Sequence, residues 1–404
     1  MGTESAISYN KKSVTDIQVA GKKVLLRCDF NVPQDKETGK ITDEGRITAA
    51  LPTINYLIEQ GASVIACSHF GRPKGEFKQE YSLAPVAECL SKHLGKPVLM
   101  AKDVIGEDAV RIASQLLPGE VMLLENTRFH KEEEKNDPEF SKKLADLADV
   151  YVSDAFGSVH RAHASTEGVS HFLPAVSGFL LKKELDSIGG AISSPKRPLV
   201  AILGGAKVSD KLGVIWNLLG VADSIIIGGG MAYTFFKARG GSIGNSLCED
   251  GEFEAVLKMI EDAKNRGVKL LLPVDSIAAS GFSNDADTMT VDSDAIPDGM
   301  MALDIGPRSV SDFTAEISGA GTIVWNGPMG VFEFSKFSEG TRAVAEAVAG
   351  SGAISVIGGG DSAAAVRQFG LEDKITHIST GGGASLEFME GKVLPGIACL
   401  LDAD

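Results

Sequence analysis

Val200-Ala-Ile-Leu-Gly-Gly-Ala-Lys-Val-Ser-Asp-Lys-Leu-Gly213 is the stretch on which the reading of this chain turns. A short apolar run stops at two glycines. Two lysines follow four residues apart, and apolar residues then recur at Leu212, Ile215, Trp216, Leu218 and Leu219. A buried strand that turns sharply into an amphipathic helix has this pattern. The glycines let the backbone come close to a ligand. The helix start offers unpaired N–H groups and a partial positive charge to an anion. In a helix spanning Lys207–Leu219, the spacing sets Lys207 and Lys211 on one face, and an anion between them would relieve their repulsion. Two solvated lysines on a surface helix are the plainer account of the motif taken alone. The Gly-x-x-x-x-Gly-Lys-Ser/Thr phosphate loop is absent.

The same alternation runs through the whole chain. In the first half the strand candidates are Lys23–Asp29, Ser63–His69, Pro97–Met100, Val121–Asn126 and Val150–Asp154, separated by helical stretches at Arg46–Gln60, Leu83–Leu94, Glu107–Leu116 and Pro138–Ala148. In the second half the strands are Leu199–Leu203, Ser224–Ile227, Lys269–Val274, Thr322–Asn326, Ala353–Ile357 and Thr376–Ser379. Further helices are expected over Met231–Ala238, Glu252–Asn265, Glu339–Val348 and Ser362–Gln368. Such alternation predicts βαβ units, hence α/β architecture with parallel sheets covered by helices on both faces. A length of 404 residues is too great for one ordinary core. A helical Phe179–Ile188, followed by Gly189-Gly190 and the turn-rich Ser193–Pro198, reads as a connector. The expected division is 1–180, a connecting helix and linker over 181–197, a second domain over 198–390, and a C-terminal segment over 391–404. Gly281–Thr314 lacks periodicity and reads as either a β excursion or a long loop. Leu394–Leu401 is apolar enough to need burial.

Composition excludes several classes. The net charge of −15 argues against a nucleic-acid partner, which would need a basic face. Any basic cluster is therefore local and suited to a small anion. Five scattered cysteines without a Cys-x-x-Cys pair fit free thiols in a reducing compartment. The first ten residues carry no apolar signal core, and no apolar run approaches a membrane span. The expectation is a cytoplasmic protein with no membrane partner.

In parallel α/β sheets ligands bind beyond the carboxyl ends of the strands. In the first half those positions read Arg27-Cys-Asp-Phe-Asn-Val-Pro33, Ser68-His-Phe-Gly-Arg-Pro73, Glu125-Asn-Thr-Arg-Phe-His130 and Ser153-Asp-Ala-Phe-Gly-Ser-Val-His-Arg-Ala-His163, with Arg46 opening the first helix. Four of the five strand ends thus carry Arg, His or both, and guanidinium forks bind phosphate and carboxylate bidentately. One such arginine is usually a surface salt bridge; convergence on one edge points to a polyanion. His160 and His163 lack a third ligand at metal spacing and read as anion contacts or structure. The second half offers glycines instead: Gly204-Gly205, Gly228-Gly-Gly230, Asn326-Gly-Pro-Met-Gly330, Gly358-Gly-Gly-Asp361 and Gly381-Gly-Gly383. Turns of this kind cradle phosphates. Asp361 is a candidate carboxylate for Mg²⁺ on a nucleotide, or else a helix N-cap. Glu333 is a candidate for ribose hydroxyls, or a surface residue. Gly358-x-Gly360-x-x-Ala363 also fits a dinucleotide fingerprint, but the following strand ends without the acidic residue that such a site uses, so a nicotinamide-dependent dehydrogenase ranks below a nucleotide-phosphate site. A non-catalytic two-domain anion-binding protein is the other alternative, and it leaves the glycine turns and paired lysines without a purpose. Phosphoryl transfer needs two phosphate compounds in line with water excluded, which two closing domains would supply.

Taken together these motifs resemble those of the phosphoglycerate kinases along essentially the whole chain, in the same order. The signatures are Arg27–Pro33, His69–Pro73, Glu125–Phe129, Asp154–Gly157 with His160–His163, Gly204–Lys211, Trp325–Glu333, Gly358–Asp361 and Ser379–Gly383. The resemblance implies two doubly wound, Rossmann-like domains joined by a hinge. It implies reversible in-line transfer, on domain closure, between 1,3-bisphosphoglycerate and ADP, giving 3-phosphoglycerate and ATP, with Mg²⁺, in a monomer. It places Asp29, Asn31, Arg46, His69, Arg72, Arg128 and Arg161 on the glycerate substrate, with Phe30, Phe70 and Gly71 beside them and Arg27, His160 and His163 completing the basic patch. Gly204, Gly205, Gly228, Gly229 and Leu303 would line the adenine site, with Asn326 and Pro328 nearby and Glu333 on the ribose. Lys211 would hold nucleotide phosphates within the Gly358, Gly359, Gly360 and Ser362 turn, and Asp361 the magnesium. Lys207, Lys211, Arg46 and the helix starts at Gly360 and Gly383 would surround the transferring group. Phe70, Thr127 and Ser362 depart from the commonest family wording without removing a charge. The resemblance also implies that the C-terminal segment returns to the first domain.

Overall fold

The computed structural model describes residues 9–403. The chain forms two compact units. One holds the residues up to Asp186 together with those from Val393 onward, and the other holds Ser187–Lys392. Phe179 to Ser193 is helical, with a π turn over Leu185–Gly189.

The first unit is built on β1 (Lys23–Arg27), β2 (Ser63–Cys67), β3 (Val98–Met100), β4 (Val121–Leu123), β5 (Val150–Ser153) and β6 (Ala175–Ser177). They lie in the order β3-β4-β2-β1-β5-β6, and every neighbouring pair is parallel. Val24 faces Val64 on one side and Val150 on the other. Strands covered on both faces read as unbroken apolar runs rather than alternating ones; Leu25 and Leu26, on opposite faces of β1, are both fully buried. Helices Gly45–Glu59 and Ala84–Leu94 cover one face through Ile47, Ile54, Leu57, Val86 and Leu90. The strand order reverses between β1 and β5, which opens a crevice at their carboxyl ends. The apolar C-terminal segment packs on this unit beside edge strand β6: Leu394, Ile397 and Leu400 are buried, and Leu401 N–H donates to Ala175 O, at the start of β6, at 2.9 Å.

The second unit contains, in chain order, β7 (Leu199–Leu203), β8 (Ser224–Ile227), β9 (Ser242–Ile243), β10 (Lys269–Leu271), β11 (Asp275–Ala279), β12 (Thr288–Asp292), β13 (Ala295–Ile296), β14 (Met301–Ile305), β15 (Thr322–Asn326), β16 (Ile354–Gly358) and β17 (His377–Ile378). Its main sheet runs β10-β8-β7-β15-β16-β17, all parallel, and reverses between β7 and β15. Trp325, fully buried, anchors one face of its core with Phe313, Val344 and Ile357.

Two parallel sheets flanked by helices are the α/β class that the alternation predicts. Particular boundaries differ. The strand expected over Lys269–Val274 stops at Leu271, because Pro273 has no N–H for the ladder; β11 resumes in a different sheet. The aperiodic Gly281–Thr314 holds β12, β13 and β14 and the start of helix Pro307–Ser318; β12, β11 and β14 form an antiparallel sheet. Its strands gave no period-2 signal because β12 is exposed at four of its five positions. The sequence reading missed β6, three residues long, and helix Gly382–Met389, which opens on two glycines.

Candidate functional site

Parallel strands end on one edge, so the first unit brings the residues after β1, β2, β4 and β5 together. Arg27, the last residue of β1, is only 1% exposed. Its Nε donates to Ser165 Oγ at 2.8 Å, one Nη donates to Cys28 O, and Nη2 donates to His69 Nδ1 at 3.2 Å. A guanidinium can only donate. His69 therefore receives at Nδ1, and its proton sits on Nε2. Burial, with the guanidiniums of Arg27, Arg128, Arg46 and Arg161 around it, holds His69 well below the ordinary imidazole range. It is a neutral donor at physiological pH. His163 is pushed down to about 4 by burial first, then by Arg128, Arg27 and Arg161.

The arginines are held from behind. Arg128 Nη1 donates to Gly71 O at 2.9 Å, and its backbone N–H donates to Asn126 Oδ1 at 3.0 Å. Asn126 also accepts from Phe70 N–H at 3.1 Å and donates to Phe70 O at 2.6 Å, so one side chain sets the Phe70–Gly71 turn and the Arg128 backbone together. Asn31 Oδ1 accepts from Gly71 N–H at 2.9 Å. Phe30 is buried, and its N–H donates to Ser68 Oγ at 2.8 Å. Arg46 Nη1 pairs with Asp29 Oδ1 at 2.8 Å. Arg161 Nε donates to His160 Nε2 at 3.1 Å. Arg72 and Arg161 are exposed. Glu133, fully buried, accepts from Ser165 N–H at 3.0 Å and from its Oγ at 2.5 Å; it is the negative end of a chain running through Ser165 to Arg27. Burial pushes the Glu133 carboxyl up, and Arg27 opposes that shift. Glu133 carries no distinguishing signal in the sequence, where Lys131, Glu132, Glu134 and Lys135 surround it. The cluster presents several guanidiniums and neutral imidazoles to one crevice, which is chemistry for a small polyanion.

In the second unit the glycine turns meet one another. A Cβ on Gly204 would lie 2.0 Å from Pro328 O, one on Gly229 2.6 Å from Gly205 N, and one on Gly228 2.4 Å from Met329 Sδ. Gly204 and Gly229 are glycine because neighbouring strand-end loops touch there backbone to backbone, and Gly228 because the Met329 side chain lies against it. Gly205, at φ 112°, and Gly360 face open space. The turns border a cleft of about 530 Å³ whose walls include Gly205, Gly229, Leu303, Pro328, Glu333 and Asp361. Gly204, Gly228, Asn326, Gly358, Gly359, Gly360, Ser362, Lys207 and Lys211 are outside its lining.

Several of those act from behind. Lys211 donates its ammonium to Asn326 Oδ1, and burial lowers its pKa while Asp210 and Asp361 oppose that shift. A Cβ on Gly359 would lie 3.2 Å from Asn326 Nδ2, so Lys211, Asn326 and the Gly358–Asp361 turn form one group. Ser362 is fully buried, and its Oγ accepts from Gly327 N–H at 2.6 Å. Asp361 is the second residue of helix Gly360–Gln368, whose N-cap is Gly359, so it is not the cap. Its carboxylate is exposed at a helix start. Gly383 lies in the exposed first turn of helix Gly382–Met389.

The opening stretch needs correction. The helix does not begin at Lys207. Ser209–Lys211 is a single 3₁₀ turn, and the α-helix runs over Leu212–Leu218. Lys207 lies before it in an exposed bend, so the two lysines do not share a helix face. Ser209 and its partner Glu249 fix the bend: Ser209 N–H donates to Glu249 Oε2 at 3.0 Å and its Oγ to Oε1 at 2.6 Å.

The rest of the cleft wall was not legible in the sequence. Tyr233, Leu247, Phe282, Met301 and Phe334 line it. Phe282 is 64% exposed and Leu247 56%, as flat apolar surface for a planar ring would be. Asp304, also in the wall, is buried beneath Gly330 and Gly340. Its Oδ2 accepts from Gly340 N–H at 2.8 Å and its Oδ1 from Ile305 N–H at 2.9 Å. Burial, with a contribution from Glu339, pushes its pKa up to about 7.

Comparison with known proteins follows the same outline. The family model described as phosphoglycerate kinase matches residues 14–392. The chain is 57% identical over 399 residues to the phosphoglycerate kinase of Clostridium tetani, covering 98% of this chain and 99% of that one. It is 58% identical over 399 residues to that of Clostridium novyi, covering 98% and 100%. The solved phosphoglycerate kinase of Coxiella burnetii superposes with a TM-score of 0.90 at 45% identity, covering 96% of this chain and 98% of that chain. That of Pyrococcus horikoshii superposes at 0.79 and 35% identity, with the same coverage. By sequence along its length and by fold, the chain belongs to the phosphoglycerate kinase family.

Proposed function

We propose that this protein catalyses reversible phosphoryl transfer between the acyl phosphate of 1,3-bisphosphoglycerate and ADP, yielding 3-phosphoglycerate and ATP, by direct in-line transfer. The observation that carries the reading is the pairing of two unlike ligand sets in a chain of this family. One is a buried arginine–histidine crevice in the first unit; the other is a glycine-bordered, apolar-walled cleft with Lys211 and Asp361 at its margin in the second. The first unit then binds the phosphoglycerate and the second the nucleotide.

In this reading Arg46, Arg128, Arg161 and Arg72 neutralise the phosphoglycerate, Asp29 orients Arg46, Asn31 orients the Gly71 turn, and neutral His69 donates from Nε2. Arg27, His160 and His163 support them. In the second unit Gly205, Gly229, Leu303 and Pro328 receive the base, Glu333 accepts from the ribose, and Lys211 holds phosphate oxygens. Lys207 and the N–H groups at Gly360 and Gly383 face the transferring group. The acyl phosphate is already reactive, so positioning and electrostatic stabilisation suffice and no side-chain nucleophile is required. Mg²⁺ suits the donor set: one exposed carboxylate, Asp361, beside substrate phosphates is its usual protein contribution. When bound it neutralises charge on the phosphates. The protein is a monomer whose ligands are small molecules, without nucleic-acid or membrane partners, and works in the cytoplasm; no helix among the described residues is long and apolar enough to cross a membrane.

The test mixes protein, ATP, Mg²⁺ and 3-phosphoglycerate, with acyl-phosphate formation coupled to NADH oxidation. The expected result is sustained turnover that requires all three components. Folded protein without turnover overturns the reading. Reduction of NAD by an added 2-hydroxy acid would favour the dehydrogenase alternative, which the missing acidic residue after β17 argues against.

A further inference from the structure

Away from both clusters, three side chains of different chemistry meet in the first unit. Glu44 is the N-cap residue of helix Gly45–Glu59. Cys89 and His93 lie four residues apart in helix Ala84–Leu94, hence on one face. Glu44 Oε2 is 2.8 Å from His93 Nε2, and Glu44 also pairs with the Cys89 thiol. One donor atom from each of the three lies within 4.8 Å of the other two. Cys89 is buried, while Glu44 and His93 are exposed.

Thiolate, imidazole and carboxylate are the donors that zinc takes. A tetrahedral ion at roughly 2.0–2.3 Å from each donor holds its ligands roughly 3.3–3.7 Å apart. Glu44 and His93 have only to part by about half an ångström, which exposed side chains do by rotation. The exposed side of the cluster leaves a fourth position for water. None of the three residues belongs to either proposed substrate site, and a thiolate donor disfavours magnesium.

We propose that Glu44, Cys89 and His93 form a binding site for a zinc-class divalent cation, ligated by Cys89 Sγ, His93 Nε2 and one Glu44 oxygen. Binding opens the Glu44–His93 pair and displaces the thiol proton to solvent. Burial, reinforced by Glu44, pushes the Cys89 thiol up to about 11. An ion here ties the start of the helix that carries Arg46 to the last turn of Ala84–Leu94.

The test titrates the reduced full-length protein with Co²⁺, whose bond to a thiolate gives a near-ultraviolet charge-transfer band, followed by displacement with Zn²⁺. The expected result is a band that saturates at one equivalent and is abolished by Zn²⁺ but not by Mg²⁺. H93Q, altered at an exposed ring and checked for fold by circular dichroism, should bind at least about 10-fold more weakly. C89S should lack the band, and C248S should keep it. No band in the wild type, a band that survives C89S, or unchanged affinity in H93Q overturns the site.

Discussion

The Lys211 ammonium donates to the side-chain oxygen of Asn326, joining the connection after β7 to the last residue of β15, where the strand order of the second sheet reverses. The lysine is thereby aimed before any ligand arrives. Lys211→Ala should raise the dissociation constant for ADP by about 10-fold or more, the loss expected for one charge-assisted hydrogen bond. Asn326→Ala keeps the charge but frees it, and should give a smaller loss. Calorimetric titration measures both; unchanged ADP affinity in Lys211→Ala would remove it from the nucleotide site.

Arg46 is aimed by Asp29 in the same sense, at 2.8 Å. Arg46→Ala should lower kcat by about 10²-fold or more if the guanidinium meets charge that develops during transfer. Asp29→Asn should lower it less, because the arginine remains but is no longer held. Steady-state rates at saturating substrate separate the two, and near-normal turnover in Arg46→Ala would exclude that role.

Two glycines distinguish packing from ligand approach. A Cβ on Gly204 would meet Pro328 O at 2.0 Å, so Gly204→Ala should cost about 1–3 kcal/mol of stability. Gly360 has no atom within 4 Å of its Cβ position, so Gly360→Ala should unfold like the wild type yet lose activity where a phosphate must come close. Melting temperature and turnover, measured on both variants, check the contrast. Equal stability loss in the two would contradict it.

Asp304 sets a pH dependence. Its folded value, about 7, lies above the ordinary carboxyl value of 3.8. Between those values the folded protein binds more protons than the unfolded chain, so this group's contribution to stability is full at low pH and is lost as pH rises through about 7. Asp304→Asn cannot titrate. The stability advantage of the wild type over Asp304→Asn should therefore shrink from about pH 4 to about pH 7 and change little above it. Urea unfolding across that range measures it; parallel profiles for the two proteins would show that Asp304 does not titrate there.

Much of the fold was legible because a parallel strand covered on both faces, such as Val200–Leu203 or Val64–Cys67, is apolar along its length, and the helix after it repeats near 3.6 residues. Those periods record which faces are buried, and chain order together with right-handed crossovers then sets the carboxyl ends on one edge. The arginines at the strand ends of the first unit and the glycines at those of the second could therefore be named from the sequence. Tertiary structure decided what local pattern does not encode. Glu249 reaches back to Ser209 from forty positions away, and the helix opens after Lys207 rather than at it. Glu133 sits in a run of charges yet is buried, where Ser165, itself bonded to Arg27, donates to its carboxylate. Phe282 and Met301 reach the cleft through a sheet whose exposed strand has no period to read. Glu44 meets Cys89 and His93 because two helices lie side by side on one sheet face. In each case the deciding partner is distant in sequence, and periodicity reports only that a face is covered, not what covers it.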